Sequence, residues 1–463
     1  MDDLSLESAN MENLYSEQEE PQIPTGPLID DDGKYGELIL LGYNGTGEGN
    51  LRHGSKKQRS KFVLMRRTTG NGIKKMSTSS VAMPPKDAPA VLDKDRHVVS
   101  YAYKSHTILV EYSMDPNKDM FQIGRSSEDQ IDFTIVDTWL VSGVHNSSHG
   151  GKSHKNEKDT RPISSTISRY ACRILVDRDN CNKAYLYAAG FDGKKNIFLG
   201  EKATKWSKVK SSEMDGLTTN GVLILHPNRN TEDGSEDDEG AMYVWREVSV
   251  DGDMFTLRET RSSNTKGELM LEETSMLQDG TLIDLCGATL LYRTADGLAR
   301  SPTERELNIS LDRLNAGKPQ CPVNLNTLVI PRKKTNEKDK DFSRQPYVYL
   351  RCGHVQGKHD WGLQVSAGGT RTTHKCPVCL IESERVLSLT MGMESAFHID
   401  SGVLDYAFNP CGHVASLSTV RYWSRIPLPH GTNSFHPVCP FCTSLLASKK
   451  PYVRLIFQDH LGI

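Results

Sequence analysis

No stretch of this 463-residue sequence approaches the ~18 consecutive apolar residues that a membrane helix needs. The longest runs are short, such as Leu38-Ile39-Leu40-Leu41 and Val222-Leu223-Ile224-Leu225, so membrane insertion is not expected. An excess of one charge is also missing. With 56 Lys and Arg against 59 Asp and Glu the formal net charge is -3, and global charge offers no case for a nucleic-acid or membrane partner. The opening Met1-Asp2-Asp3 lacks the basic and apolar regions of a secretory signal, and a cytoplasmic, reducing location is expected. Hydrophobic residues are few, 37% with mean hydropathy -0.51, so polar tails or loops must accompany the cores.

At ~100 to 200 residues per domain the chain divides into two or three units. Residues 1–33 carry ten carboxylates and no Lys or Arg, and are expected to be a disordered acidic tail. Residues 51–75 reverse the sign, with nine basic residues around the strand-like Phe62-Val63-Leu64-Met65. Solvated basic loops on a strand are the simpler reading, a phosphate-attracting patch the other. From about 36 to 295, short apolar, β-branched or aromatic runs alternate with Gly, Asn, Asp and Ser, as in a β-sandwich. Two polar insertions interrupt it, at 143–166 and 228–240, each expected to be an exposed loop. A second unit begins near 301, where Ser301-Pro302 reads as the start of a helix.

Ten cysteines in such a chain do not suggest disulfides, because six of them lie between 352 and 442 beside histidines. Cys352-Gly353-His354 is followed after 21 residues by Cys376-Pro377-Val378-Cys379, and Cys411-Gly412-His413 after 25 residues by Cys439-Pro440-Phe441-Cys442. The same half-site appears twice. Gly and Pro suit the tight turns that present paired ligands, and six thiolates with two imidazoles make two closed, structural Zn2+ sites. Binding of order ~10 kcal/mol per site would compensate for the modest apolar core. A redox Cys-x-x-Cys pair lacks the adjacent βαβ pattern it requires. Sequential and interleaved pairings both satisfy the spacing. His359, His374, His430 and His436 read as surface or supporting histidines. Cys172, Cys181 and Cys286 read as core or bystander residues, while Cys321, in Gln320-Cys321-Pro322-Val323, is either a spare ligand or a buried structural cysteine.

The ligand order Cys-His-Cys-Cys-Cys-His-Cys-Cys resembles a variant RING domain. That resemblance implies a ubiquitin ligase with no nucleophile of its own, which docks a ubiquitin-conjugating enzyme and positions its ubiquitin thioester. Pro440 and Phe441 are the docking candidates, against simple packing around the metal.

Within the sandwich three strand-end loops can converge. Phe121-Gln122-Ile123-Gly124-Arg125 closes one strand, Ser168-Arg169 precedes another, and Thr219-Asn220-Gly221 a third. Two Arg and a Ser supply the charge-assisted and hydroxyl donors a phosphate needs, and Asn220 suits a peptide backbone. In this order the motifs resemble the FHA domain, a phosphothreonine-binding β-sandwich. The family pattern usually has His three residues after the Ser, where this sequence has Ala171.

The whole arrangement resembles the Pellino family, including Gln345-Pro346-Tyr347-Val348-Tyr349-Leu350 and the run from Tyr422 to Thr432. The resemblance implies a mainly β protein with an FHA-like sandwich over 34–300, whose inserted loops form a wing, and a small two-zinc RING-like domain over 301–463. It further implies binding of phosphorylated interleukin-1-receptor-associated kinases of Toll pathways through Arg125, Ser168, Arg169, Thr219 and Asn220, and their polyubiquitination. The alternative is a non-catalytic scaffold that collects phosphorylated partners and uses zinc for stability alone. A zinc nucleic-acid binder ranks below both, since 352–442 has no concentrated basic face.

Overall fold

The computed structural model describes residues 33–43, 60–135, 166–180, 183–200, 203–207, 214–217, 221–227, 243–261, 263–265, 267–317, 320–333, 342–365, 372–430 and 434–457. The acidic tail apart from Gly33, the insertion at 143–166 apart from Thr166, and the insertion at 228–240 lie outside these residues.

A seven-stranded antiparallel sheet runs in the order Met254–Thr256, Arg246–Val248, Val222–Leu225, Leu282–Asp284, Ala288–Thr294, Lys34–Tyr43, Lys61–Met65. Its partner sheet is Phe133–Thr134, Lys118–Gly124, Cys172–Asp177, Ala184–Ala188. Leu38, Leu40, Ile224, Ile283 and Leu290 of the first meet Phe121, Ile123, Ile174 and Leu186 of the second in one core. Each such side chain contributes about 1.5–3 kcal/mol by leaving water.

The wing exists, and its described part comes from elsewhere than the polar insertions. Asn196–Leu199, His97–Tyr103, His106–Asp115 and Gly72–Val81 form a separate four-stranded sheet. Val99, Tyr101, Val110 and Tyr112 tie it to the sandwich core. Its edge strand, Gly-Ile-Lys-Lys-Met-Ser-Thr-Ser-Ser-Val, is largely exposed, so it carries little apolar signal.

The large sheet is buried on both faces. Leu38 and Leu40 point into the sandwich, while Ile39 and Leu41 belong to a second core. Val222 and Ile224 alternate in the same way with Leu223 and Leu225. Successive strand side chains point to opposite faces, so a continuous apolar run is what a doubly covered strand requires. The second cover is the C-terminal region, through Phe397, Phe408, Val420, Trp423, Ile426 and Leu428. Hydrogen bonds fix the contact. Trp245 Nε1 donates to the Pro427 carbonyl at 2.6 Å and Tyr422 Oη to the Gly280 carbonyl at 2.9 Å. The buried Arg293 donates to Asp279 at 2.8 Å, to Ser301 Oγ at 2.7 Å and to the Ala396 carbonyl.

Beyond the sheet, the helix Glu304–Ala316 opens on a capping box. Thr303 Oγ1 accepts from the Glu306 N–H at 3.2 Å, and the Glu306 carboxylate from the Thr303 N–H at 2.7 Å. The cap is therefore Thr303, not Ser301. Ser301 ends the preceding helix, Ala295–Arg300, and its buried hydroxyl donates to the His398 carbonyl at 2.7 Å. Leu307 and Leu311 pack on Leu328, Val348, Leu387, Val414 and Val453, the core of the C-terminal region. Among the described residues no helix is long and apolar enough to cross a membrane.

Candidate metal centres and phosphate site

The cysteine and histidine pairs assemble sequentially. Cys352, His354, Cys376 and Cys379 form one group and Cys411, His413, Cys439 and Cys442 the other, each with its candidate ligand atoms within 4.8 Å of one another. Both groups are built alike. The strand Tyr347–Tyr349 leads into the Cys-Gly-His turn, where Gly353 has φ +81° and donates to the Tyr349 carbonyl at 2.8 Å. Tyr406–Phe408 does the same for Gly412, with φ +76° and a bond to the Phe408 carbonyl at 2.7 Å. A Cβ at either glycine would run into the carbonyl of Arg454 or Ser388.

The Cys-Pro-x-Cys turns also match. The Leu380 N–H donates to the Cys376 carbonyl and the Thr443 N–H to the Cys439 carbonyl, each at 2.8 Å. Leu380 and Thr443 hold φ of 62° and 61°. Side-chain-bearing residues pay about 1–2 kcal/mol for that conformation, so something must enforce it.

The donor set fits zinc. Cys376 Sγ and His354 Nδ1 are 3.7 Å apart, as are Cys439 Sγ and His413 Nδ1. Two ligands on a tetrahedral metal with bonds of ~2.3 and ~2.0 Å lie about 3.5 Å apart. Burial pushes the Cys352 thiol up to about 12 and Cys439 well above the ordinary thiol range, with neighbouring thiols adding to both. A divalent cation would offset that cost and favour the thiolates. Four protein donors leave no open position at either centre.

Cys321 belongs to neither group, yet its turn has the same form. The Leu325 N–H donates to the Cys321 carbonyl at 2.9 Å, the Cys321 N–H to the Asn326 carbonyl at 3.0 Å, and Leu325 has φ 54°. Asn324 stands where the second Cys would be, and its N–H donates to Cys321 Sγ at 3.4 Å. The thiol is fully buried among Leu307, Leu311 and Leu328. The signal was in the sequence, since Cys-Pro-Val occurs at both 321 and 376.

Pro440 is buried and the half-buried Phe441 ring lies 5.3–6.2 Å from the rings of His398, His413, Phe397 and Phe408. Gly392 leaves the space it fills. At the first centre the equivalent turn carries Val378, Leu380 and Ile381, exposed at 44%, 56% and 43%.

In the sandwich, pairing of Lys118–Gly124 with Cys172–Asp177 sets Arg125 beside Ser168 and Arg169. The Arg125 N–H donates to the Ser168 carbonyl at 3.2 Å and the Ser126 N–H to the Arg169 carbonyl at 3.1 Å. Gly124 permits this approach, since a Cβ there would collide with the Arg169 carbonyl. Arg125 is exposed, its Nε donating to the Ile167 carbonyl at 2.8 Å. Ala171 is buried and offers no polar side-chain atom. Thr219 and Asn220 lie outside the described residues, but Gly221 follows them at φ +44°, against the buried ion pair of Glu247 and Arg258. Sequence reasoning missed that pair, and also Glu128, which accepts hydrogen bonds from Arg169 and Tyr170.

Comparison with known families gives two matches that together span most of the chain. Residues 28–310 match the Pellino FHA domain and residues 314–462 the Pellino RING domain. The protein pellino of Drosophila melanogaster is 49% identical, over 94% of this chain and 97% of its own length. The E3 ubiquitin-protein ligase pellino homolog 2 is 46% identical in both Mus musculus and Homo sapiens, the alignments covering 95% and 92% of this chain and 98% and 95% of the relatives. With two Cys3His groups in its RING domain and the strand-end loops of an FHA sandwich before it, the chain belongs to the Pellino family.

Proposed function

We propose that this protein is a RING-type ubiquitin ligase that selects phosphorylated substrates with its FHA domain. The observation that carries the reading is the joint presence of both Pellino domains in a chain 46–49% identical, almost end to end, to relatives of which several are named ubiquitin-protein ligases. Two zinc ions, held by Cys352, His354, Cys376 and Cys379 and by Cys411, His413, Cys439 and Cys442, would supply fixed geometry. The chain contributes no nucleophile. It would dock a charged ubiquitin-conjugating enzyme and hold the thioester where an acceptor lysine can attack, which is catalysis by positioning. The exposed Val378, Leu380 and Ile381 offer a better docking surface than Pro440 and Phe441, which support the fold from inside.

Arg125, Ser168 and Arg169, with Thr219 and Asn220 on the neighbouring loop, would bind phosphothreonine. The substrates would be phosphorylated interleukin-1-receptor-associated kinases of Toll signalling, met in the cytoplasm. The working units are an acidic tail over 1–33, a substrate-binding sandwich over 34–300 and the zinc domain over 301–463.

A reconstituted reaction across several conjugating enzymes tests this. Chain formation by the intact protein, abolished by Cys376→Ala, is expected. Arg125→Ala should keep autoubiquitination and lose preference for a phosphorylated substrate. No chains with any conjugating enzyme, from protein holding two zinc ions, would favour the phospho-dependent scaffold.

A further inference from the structure

Two loops carry Arg125 on one side and Ser168 and Arg169 on the other, and besides the bonds already described one carboxylate, Glu128, reaches from the first loop to the side chains of the second. Glu128 Oε1 accepts from Arg169 at 2.6 Å and from Tyr170 Oη at 2.5 Å, with Ser126 Oγ at 3.3 Å. Glu128 Oε2 accepts from Gln130 Nε2 at 2.6 Å. Hydrogen bonds from Tyr170 and Gln130 hold this carboxyl down at about 2, so it is ionised throughout the physiological range. Gly193 closes over it, leaving little room for any side chain there.

The structure assigns Glu128 the role of a positioning residue for phosphothreonine recognition, a role that rests on the phosphothreonine reading above. Arg169 is a long, exposed side chain, and binding a phosphate would cost its rotamer freedom. Glu128 removes that cost beforehand. It takes one guanidinium nitrogen while the Tyr170 ring lies against the group, 5.2 Å from its carbon. A guanidinium has five N–H donors, so donors remain for a phosphate. Opposing this, the carboxylate repels the incoming dianion. The geometry decides between the two effects, because both carboxylate oxygens are already engaged by donors and the site is screened by solvent. Ala171 supplies no polar side chain between these loops, and beside the backbone bonds and Arg125 Nε on the Ile167 carbonyl it is Glu128 that engages the Arg169 side chain.

The experiment uses the full chain, a fluorescent degenerate phosphothreonine-peptide library and its unphosphorylated counterpart. Glu128→Ala should weaken binding of the phosphorylated library about fivefold, the scale of an exposed ion pair, with an unchanged melting temperature. Glu128→Gln, which can still accept from Arg169 and Tyr170, should recover most of the loss. Adding Glu128→Ala to Arg169→Ala should weaken binding no further, since the one acts through the other. Equal or tighter binding by Glu128→Ala, or additive losses in the double variant, would overturn the assignment. If wild-type protein does not distinguish the two libraries, the phosphothreonine reading falls and this assignment with it.

Discussion

Gly124 shows how one residue joins backbone geometry to recognition. Its missing side chain lets two loops approach until Arg125 and Arg169 belong to one surface. Arg125→Ala should therefore lower phosphothreonine-peptide affinity tenfold or more, the worth of about 1.4 kcal/mol, while thermal unfolding stays put; a titration beside a melting curve checks both. His97 carries a different expectation. Burial, with Lys195 and Arg173 nearby, lowers this imidazole to about 4, and its ring sits 4.8 Å from Phe191. Between about 6.5 and 4 the unfolded chain binds the proton more readily, so stability from this group is present above 6.5 and lost as pH falls, by up to about 3 kcal/mol. Asp215 acts oppositely. Burial raises it to about 7, so its contribution is present below about 4 and lost as pH rises through 7. Urea titrations at pH 7 and 4.5 should show His97→Phe losing less stability on acidification than the parent, and Asp215→Asn losing more. At this scale the two Cys and His groups were legible, because eight such residues at that spacing suggest their own meeting, and the fold brings each set of four together. Glu128 and Glu247 were not, because a carboxylate's partner is set by the fold.

At the scale of elements, the apolar runs at 38–41 and 222–225 announced strands. They could not announce that both faces would be covered, because a run of four suits a buried helix segment as well. The Lys- and Ser-rich wing strand escaped notice for the opposite reason, having few buried residues to mark its period. The helix start was misplaced by two residues because Ser-Pro is a good opening in isolation, whereas Thr303 finds Glu306 for a reciprocal cap. The doubly covered strands make a sharp prediction. Leu223→Ala and Leu225→Ala should each cost about 2–5 kcal/mol, although both side chains face away from the sandwich core. Denaturant unfolding would measure it, and a loss below 0.5 kcal/mol would mean that face is not packed in solution.

On the scale of the whole molecule, the two Cys3His groups are alike in sequence and unequal in setting. Cys411, Cys439 and Phe441 belong to the core shared with the large sheet, while no ligand of the first centre does. Cys442→Ser should therefore raise hydrogen exchange in 222–225 and 289–292, and Cys379→Ser should leave those strands protected. Mass-spectrometric exchange on the full chain separates the outcomes, and equal effects would mean the centres support the junction alike. That an FHA-type sandwich is followed by a RING region was legible from patterning. Their common core was not, since nothing local in a strand states what lies on its far side.

That shared core bears on how the protein can be dissected. Cutting the chain near residue 300 would strip the cover from Ile39, Leu41, Leu223, Leu225 and Leu291 and leave Trp423 and Phe397 bare on the other piece. Each fragment would then present an adhesive apolar face of the kind that draws unrelated proteins together. Binding measured on separated halves would mix true recognition with this artificial stickiness. Substitutions in the intact chain, at Arg125 for one end and Cys379 for the other, keep the face covered and are the cleaner scalpel.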